Sequence, residues 1–382
     1  MRDLVERYDG DGRDDAPGLP RVKHWEIGNE PDFDPTRADD EPDYGSCYGD
    51  DPAGYGEELR TAYHAAKAAD PEAQVVFGAV AYDRFYDRPD LDPPGPFRFD
   101  FVREVVAALQ QAHGTEPGWP FFDVLGFHNY NDFRDNWDGP DGRDPEIIGK
   151  ARHLREHQLV APGRFDLSAL PLLASEMGIA AGPSDAFTER NEDYQAAYVG
   201  QVMIRSAAAG LRAAIWYTAA DRNTGACDRP YDWLAHGLLR TRFVAERVAR
   251  CDPPPLPRYT ARAAFEPRPA LTAFRVMGEL LSRATYGRQV TAVELGTYDV
   301  EAHVFTLADG RAAMALFGDS GDRLGRKGVA NPAHPVDVGP ALLPGWTGRV
   351  RVIDHLGYGE VEAGDTVRVT TSFAPKYVVV EP

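Results

Sequence analysis

Apolar and polar residues alternate in blocks along the first three quarters of this chain, from residue 22 to about residue 285. Five short apolar runs are typical of buried strands and lie at residues 22–28, 74–80, 122–128, 170–175 and 213–218. Amphipathic stretches that predict helices lie between and after them, at residues 52–70, 100–113, 145–158, 191–209, 232–250 and 269–284. This alternation of strands and helices indicates an α/β fold with a parallel sheet.

The pattern changes after residue 286, where apolar and polar residues begin to alternate with a period of two. Such runs lie at residues 298–308, 311–319, 348–357, 366–373 and 376–381, and turns rich in glycine and aspartate separate them. Because a period of two is typical of strands with one buried face, this part predicts a small antiparallel β-sandwich. The sequence therefore predicts two domains, residues 1–285 and residues 286–382.

Charge and hydropathy narrow the classes of partner. The chain has 60 acidic and 41 basic residues and a formal net charge of -19, which argues against nucleic acid because the phosphate backbone is also negative. No apolar run reaches the roughly 20 residues that span a bilayer, and the charged N-terminus is unlike a signal peptide. We expect no membrane partner, and the location of the protein stays open, with the cytoplasm as the default.

Three groups of potential metal ligands do not predict a metal site. The first group is an acidic segment without the spacing of an EF-hand, which predicts a solvated loop; it comprises Asp32, Asp34, Asp39, Asp40, Glu41 and Asp43. The histidine pair His153 and His157 lacks the glutamate of an HExxH motif. The cysteines have the spacing of neither a zinc site nor a disulfide framework; they are Cys47, Cys227 and Cys251. We therefore expect no metal and no cofactor.

Two glutamates follow predicted strands. Glu30 ends the stretch HWEIGNE, and Glu176 follows the apolar run LLAS. Side chains at the carboxyl ends of parallel strands point to the functional side of the sheet, so we expect the two carboxylates on one rim. A pair of carboxylates is the minimal equipment for hydrolysing a glycosidic bond, since one protonates the leaving oxygen and the other attacks the anomeric carbon or activates water. The alternative for Glu176 is a structural ion pair with an arginine.

Four further residues at strand ends fit the same chemistry. Asn29 can hydrogen-bond a sugar hydroxyl, and Tyr130 can donate its phenolic hydrogen to a carboxylate nucleophile and keep it ionised. Trp216 can stack on a pyranose ring, or it can be an ordinary core residue. His128 fits a substrate ligand and a hydrogen-bonded packing residue equally well. These residues are therefore candidates for substrate binding.

The ordered set WEIGNEPD, GFHNY, LLASEMG and IWYT resembles clan A of the glycoside hydrolases, which are retaining (β/α)8-barrel enzymes. The resemblance implies that Glu30 ends strand four and is the acid/base, and that Glu176 ends strand seven and is the nucleophile. The aspartate after NEP and the C-terminal β-sandwich are most similar to glycoside hydrolase family 39, the xylosidase and iduronidase group. Family 51 is nearly as close. A carbohydrate substrate and no cofactor are implied.

The chain departs from that clan at its beginning. Only 21 residues precede the strand that matches strand four, so we expect the first three βα units to be absent and the barrel to be incomplete. The open edges of such a sheet predict self-association. Two alternatives follow: a truncated, non-catalytic or carbohydrate-binding fragment, and a two-carboxylate hydrolase that acts on another type of bond. The residues do not name the sugar, the anomer or the linkage.

Overall fold

The computed structural model describes residues 1–18, 20–37, 48–88, 95–137, 145–182, 189–221, 235–242, 264–318 and 331–382. These residues form two compact units. The first unit comprises the described residues up to Met177 together with Ala209–Ile215. The second comprises the described residues of Gly178–Ala208 and of Trp216–Pro382. The domain boundary predicted after residue 285 stays a prediction.

The first unit contains a five-stranded sheet in the order β1-β2-β3-β6-β7. Its strands are β1 His24–Asn29, β2 Gln74–Val80, β3 Val124–Tyr130, β6 Leu172–Gly178 and β7 Ala213–Trp216. The pairs β1–β2 and β2–β3 are parallel, and Val76 is opposite Val124. A cluster of Val76, Val124 and Leu173, with Ala213 packed against it, joins four of the five strands. The predicted strands are therefore present, with ends shifted by up to three residues.

The sheet of the first unit is strongly curved. β1 and β7 are its two edges, and three strands separate them. On a flat sheet four strand spacings of about 4.8 Å would keep the edges about 19 Å apart. Instead, Arg212 Nε, at the start of β7, donates a hydrogen bond to His24 Nε2, at the start of β1, over 2.9 Å. The side chains of the two edge strands therefore meet at this end of the sheet.

The helices of the first unit are α1 Arg2–Glu6, α2 Pro52–Ala69, α3 Phe101–His113 and α4 Ile147–His153, and a π-helical turn Leu154–Gln158 follows α4. The short strands β4 Val160–Ala161 and β5 Phe165–Asp166 pair with each other. Asp51 caps α2 by accepting a hydrogen bond from Gly54 N. In α3 the buried residues Phe101, Val102, Val105, Val106 and Leu109 form one stripe, as the amphipathic pattern predicts.

A glycine allows α2 to dock on β1 and β2. The hydroxyl of Tyr55, on α2, donates to Ile27 O over 2.8 Å and accepts from Gly78 N over 2.7 Å. A Cβ atom at position 78 would lie 2.2 Å from Ile27 O and 2.9 Å from the Tyr55 hydroxyl, which no real side chain tolerates. Gly78 therefore fixes the position of β1, the strand that leads to Glu30.

The second unit contains the remaining elements. They are α5 Glu192–Ala208, β8 Leu239–Arg242, β9 Ala264–Pro267, α6 Pro269–Leu281, β10 Thr285–Val290, α7 Ala292–Leu295, β11 Val300–Thr306, β12 Ala312–Gly318, β13 His334–Val338, β14 Arg349–Asp354, β15 Gly359–Ala363, β16 Val367–Thr371 and β17 Lys376–Val380. Six strands form an antiparallel sheet in the order β10-β11-β12-β17-β14-β15, and β13 pairs with β16. Apolar residues of both sheets share one core.

A buried ion pair joins α5 to β11 in the second unit. Arg205 Nη2 lies 2.6 Å from Glu301 Oε2, and neither side chain is more than 3% exposed. His303 Nε2 lies 2.7 Å from Glu301 Oε1. Burial raises the pKa of Glu301, but the charge of Arg205 and the hydrogen bond from His303 outweigh it and hold the pKa well below its ordinary value.

One predicted helix is wrong where the structure describes it. The helix predicted at residues 232–250 contains β8, which pairs antiparallel with β9. In this pair Arg240 is opposite Glu266, 26 positions further along the chain. Pairing with a distant segment overrides local helical preference, and periodicity in a short window does not reveal such a partner. The strands β10, β13 and β15 were also not predicted. Cys47, Cys227 and Cys251 lie outside the described residues.

Candidate active site

Glu30 lies in the turn that ends β1. Its amide donates to Ala79 O over 2.8 Å, and its carbonyl accepts from Phe33 N over 3.1 Å. The φ angle of Glu30 is +48°, in the left-handed region that residues with a side chain seldom adopt. Only 14% of the Glu30 side chain is exposed. The turn therefore holds this carboxylate in a partly buried place beside β3.

His128, on β3, lies next to both predicted carboxylates. His128 Nδ1 is 2.9 Å from Glu30 Oε1 and 3.9 Å from Glu176 Oε2. Because 2.9 Å and 3.9 Å are measured from the same nitrogen, these two oxygens lie no more than about 6.8 Å apart. β2 and β3 separate β1 from β6, so on a flat sheet three strand spacings would put the strands about 14 Å apart. The curvature of the sheet brings the carboxylates together.

The carboxylates favour the protonated form of His128. Burial lowers the pKa of His128, but the hydrogen bond and charge of Glu30, with the charges of Glu176 and Glu26, outweigh burial and raise the pKa above its ordinary value. His128 Nε2 is buried and makes no hydrogen bond within the described part of the chain. Nδ1 is therefore the atom through which His128 orients Glu30, by donating its proton to the carboxylate.

Tyr130 contacts the second carboxylate. Its hydroxyl donates a hydrogen bond to Glu176 Oε2 over 2.6 Å. The Tyr130 residue is buried, whereas 27% of the Glu176 side chain is exposed. A short hydrogen bond from a phenol fixes the position of the carboxylate oxygen that accepts it. The arrangement thus provides an oriented, partly accessible carboxylate within β6, two residues before the strand ends at Gly178.

The two other predicted binding residues are Asn29 and Trp216. Asn29 is exposed and directly precedes Glu30. Trp216 belongs to the second unit, where it is 7% exposed and its indole nitrogen donates to His236 O over 3.0 Å. Its ring also packs against Tyr198. The structure therefore brings Glu30, His128, Tyr130 and Glu176 together, and sugar binding by Asn29 and Trp216 stays a prediction.

Sequence reasoning missed a third carboxylate. Glu26 lies in β1, four residues before Glu30, and the charges of His128 and Glu176 act on its carboxyl. Although the residue as a whole is exposed, partial withdrawal of its carboxyl from water raises the pKa of Glu26, and the charge of Glu176 adds to this. The presence of a second glutamate in the stretch HWEIGNE was the signal that could have revealed Glu26.

The acidic segment after β1 does not begin as a solvated loop. Asp32 and Asp34 are both buried, with exposures of 0% and 3%, because each carboxylate accepts hydrogen bonds from within the fold. The prediction of a solvated loop is therefore wrong for these two residues. The other members of the segment, Asp39, Asp40, Glu41 and Asp43, lie outside the described residues.

A buried ion pair was also missed. Lys150 Nζ, on α4, lies 2.7 Å from Asp83 Oδ2 and donates to Ala81 O over 2.8 Å. The indole nitrogen of Trp137 donates to Asp83 Oδ1 over 2.7 Å. Lysine side chains are rarely buried without a partner, so the pattern of the sequence gave no reason to expect Lys150 inside the fold.

Two further features complete the description. No helix of the described residues is long and apolar enough to cross a membrane. Where the structure describes the chain, one group of three side chains has the spacing for a shared cation, and it comprises Glu6, Asp9 and Asp11 near the N-terminus. Asp9 Oδ1 already accepts a hydrogen bond from Asp11 N. Exposed acidic groups of this kind are common without an ion.

No family model matches the chain, and no curated protein matches it. Solved structures do. The chain is similar to the GH51 arabinofuranosidase from Xanthomonas axonopodis pv. citri, with 11% identity and a TM-score of 0.54 over 100% of this chain and 72% of that chain. It is also similar to a glucosidase from Croceicoccus marinus, with 17% identity and a TM-score of 0.53 over 100% and 73%.

The matched structures are longer than this chain. Against the catalytic domain of GH30 xylanase C from Talaromyces cellulolyticus, 95% of this chain covers 63% of that chain, with 12% identity and a TM-score of 0.49. The chain thus spans less than two thirds of that relative. Identities this low establish likeness of fold alone. The chain has an α/β fold with a parallel sheet that resembles the TIM barrels of glycoside hydrolases.

Proposed function

We propose that this chain is a retaining glycoside hydrolase that cleaves O-glycosidic bonds with two glutamates. The observation that carries the proposal is the placement of Glu30 and Glu176 around one nitrogen of His128, at 2.9 and 3.9 Å. The strongly curved five-stranded sheet is interpreted as strands four to eight of a (β/α)8 barrel, and the C-terminal sheets as a β-sandwich. The matched arabinofuranosidase and glucosidase support a carbohydrate substrate.

In the first step, Glu176 attacks the anomeric carbon while Glu30 donates a proton to the leaving oxygen. The carbon–oxygen bond to the leaving group breaks, and a covalent glycosyl–enzyme ester forms. The hydrogen bond from Tyr130 orients the Glu176 carboxylate for attack. The hydrogen bond from His128 orients Glu30 towards the leaving oxygen.

In the second step, Glu30 takes a proton from water while the oxygen of that water attacks the anomeric carbon. The ester bond to Glu176 breaks, and the sugar is released. Carboxyl groups of retaining enzymes are about 5–5.5 Å apart, and those of inverting enzymes about 6.5–9.5 Å. The upper limit of about 6.8 Å between Glu30 Oε1 and Glu176 Oε2 is compatible with the retaining spacing and supports the choice of a retaining mechanism in this proposal. Asn29, which directly precedes Glu30, is assigned to substrate binding in this proposal.

The test uses nitrophenyl and dinitrophenyl glycosides together with alkyl glycosides of the same sugar. Glu176→Ala should abolish turnover of all of them, because the nucleophile is gone. Glu30→Ala should retain turnover of dinitrophenyl glycosides, whose leaving group needs no proton. Glu72→Ala is the matched control, since 72% of that side chain is exposed. Absence of hydrolysis by the unmodified chain, or equal loss on both classes of substrate in Glu30→Ala, would contradict the proposal.

A second candidate function is carbohydrate binding without turnover. This candidate is favoured because the match covers 72–73% of the two glycosidases named above, so part of each of those structures has no counterpart in the match. β1, an edge strand of the described sheet, is where further strands would pair. Calorimetric binding of oligosaccharides by a chain that hydrolyses none of them would support this candidate. Sedimentation of the same sample tests the predicted self-association through the edge strands.

A further inference from the structure

A buried carboxylate lies directly behind the turn that carries Glu30. Asp32 is two residues further along the chain and has no exposed surface. Its Oδ1 accepts from Ala81 N and its Oδ2 from Tyr82 N, both over 3.0 Å. Two parallel hydrogen bonds to backbone amides define the position and the orientation of a carboxylate. Asp32 therefore ties the turn after β1 to the segment after β2.

That segment is itself held in place from α4. Lys150 Nζ donates to Ala81 O over 2.8 Å, and its charge pairs with Asp83 over 2.7 Å. Between these two residues the Tyr82 ring is buried and stacks on Trp137, with ring centroids 5.0 Å apart. The amides that Asp32 contacts thus belong to a rigid part of the structure, and they can transmit a fixed geometry to the turn after β1.

The backbone of both connected segments needs such support. Glu30 has a φ of +48° and Tyr82 a φ of +53°, and both are residues with a side chain in the left-handed region. This conformation is unfavourable for them, and it persists where the surroundings determine it. The paired hydrogen bonds of Asp32 join the two strained points directly. They act together with the backbone hydrogen bonds Glu30 N to Ala79 O and Phe33 N to Glu30 O, and they are the side-chain contacts that tie this turn to the segment after β2.

We infer that Asp32 is a positioning residue for Glu30, and that the Lys150–Asp83 pair fixes the segment on which Asp32 acts. The role in catalysis rests on the function proposed above, whereas the effect on geometry does not. Asp32 touches no reacting atom in this mechanism. It sets where the acid/base carboxylate stands relative to His128 and to the leaving oxygen.

The first test is independent of activity. In Asp32→Asn an NH2 group replaces one of the two carboxylate oxygens, so one backbone N–H loses its acceptor. Titration of the His128 ring by NMR should then show a pKa about one unit lower, a tenfold loss of proton affinity, because Glu30 has moved from Nδ1. The charges that act most on His128 are those of Glu30, Glu176 and Glu26, and the same titration of Asp32→Glu, which keeps a carboxyl group, separates a displacement of Glu30 from the loss of the Asp32 charge.

The second test reads the chemistry. Displacing the acid catalyst should lower kcat for alkyl glycosides by about 10- to 100-fold and change kcat for dinitrophenyl glycosides much less. A merely structural defect would lower both together. Asp34→Asn is the control, since Asp34 is also buried but accepts from Thr36 and from neither Ala81 nor Tyr82. It should leave both readouts unchanged.

The outcomes separate the two proposals. An unchanged His128 titration in a folded Asp32→Asn variant overturns the positioning role, and so does an equal fall on both classes of glycoside. Failure of the unmodified chain to hydrolyse any glycoside refutes the proposed function and leaves the titration to decide the geometry. If Asp32→Asn does not fold, Asp32→Glu keeps the carboxyl group and moves its two oxygens by one methylene, and the same readouts apply.

Discussion

Replacing Asp32 with asparagine is expected to change how the stability of the first unit depends on pH. Burial raises the pKa of Asp32 from an ordinary 3.8 to about 7, and the charge of Glu30 adds to this, whereas the amides of Tyr82 and Ala81 oppose it. The carboxyl group of Asp32 therefore keeps its proton up to a higher pH in the folded chain than in the unfolded chain. The resulting stabilisation is fully present below pH 3.8 and is lost as the pH rises through 7.

The size of the effect follows from the two pKa values. A difference of about 3 pH units, at about 1.4 kcal/mol per unit, corresponds to about 4 kcal/mol. Asparagine does not titrate, so the variant lacks this dependence. The free energy of unfolding of the unmodified chain, minus that of Asp32→Asn, should fall by up to about 4 kcal/mol between pH 4 and pH 8.

Hydrogen exchange of the buried amides of β2 measures the free energy of unfolding of the first unit alone. This matters because a chain with two units need not unfold in one step. Both proteins are measured at several pH values, and the difference between them cancels the titration of groups not coupled to Asp32. A difference that stays constant, or that grows in favour of the unmodified chain as the pH rises, would refute the assignment of a raised pKa to Asp32.

Three further predictions concern other contacts. Tyr130→Phe removes the hydrogen bond to Glu176, worth about 1.5–3 kcal/mol, so kcat/KM for glycosides should fall about 10- to 100-fold with an unchanged circular dichroism spectrum; full activity would contradict it. Arg205→Met leaves Glu301 buried without its cation and should lower the free energy of unfolding of the second unit by about 3–5 kcal/mol in urea, and recovery should follow in the double variant with Glu301→Leu. Gly78→Ala puts a methyl group against a backbone carbonyl and should destabilise the first unit by at least about 1–3 kcal/mol; an unchanged melting temperature would show that β1 can shift freely.

Local patterns predicted much of the first unit. The runs that became β2 and α3 carry their own evidence, because a continuous apolar run and an amphipathic helical pattern are each visible within a few residues. The segment that became β8 does not. Its strand conformation depends on pairing with β9, and no window that contains one of them alone reveals the other.

The candidate site divides in the same way. Strand-end positions singled out Glu30, Glu176 and Tyr130, and the hydrogen bond between Tyr130 and Glu176 is present. The buried places of Asp32 and Lys150 could not be predicted, because aspartate and lysine are mostly exposed and their partners here are backbone atoms of a distant loop or an aspartate 67 positions away.

By itself the sequence determined which side chains stand at the ends of strands, since alternation and strand length are local properties of the chain. Only the tertiary structure decided that two of these side chains meet. β1 and β6 are three strand spacings apart, and the curvature of the sheet reduces this distance until Glu30 and Glu176 share His128. Curvature arises from the packing of helices and side chains over the whole sheet, so no single segment of the sequence encodes it.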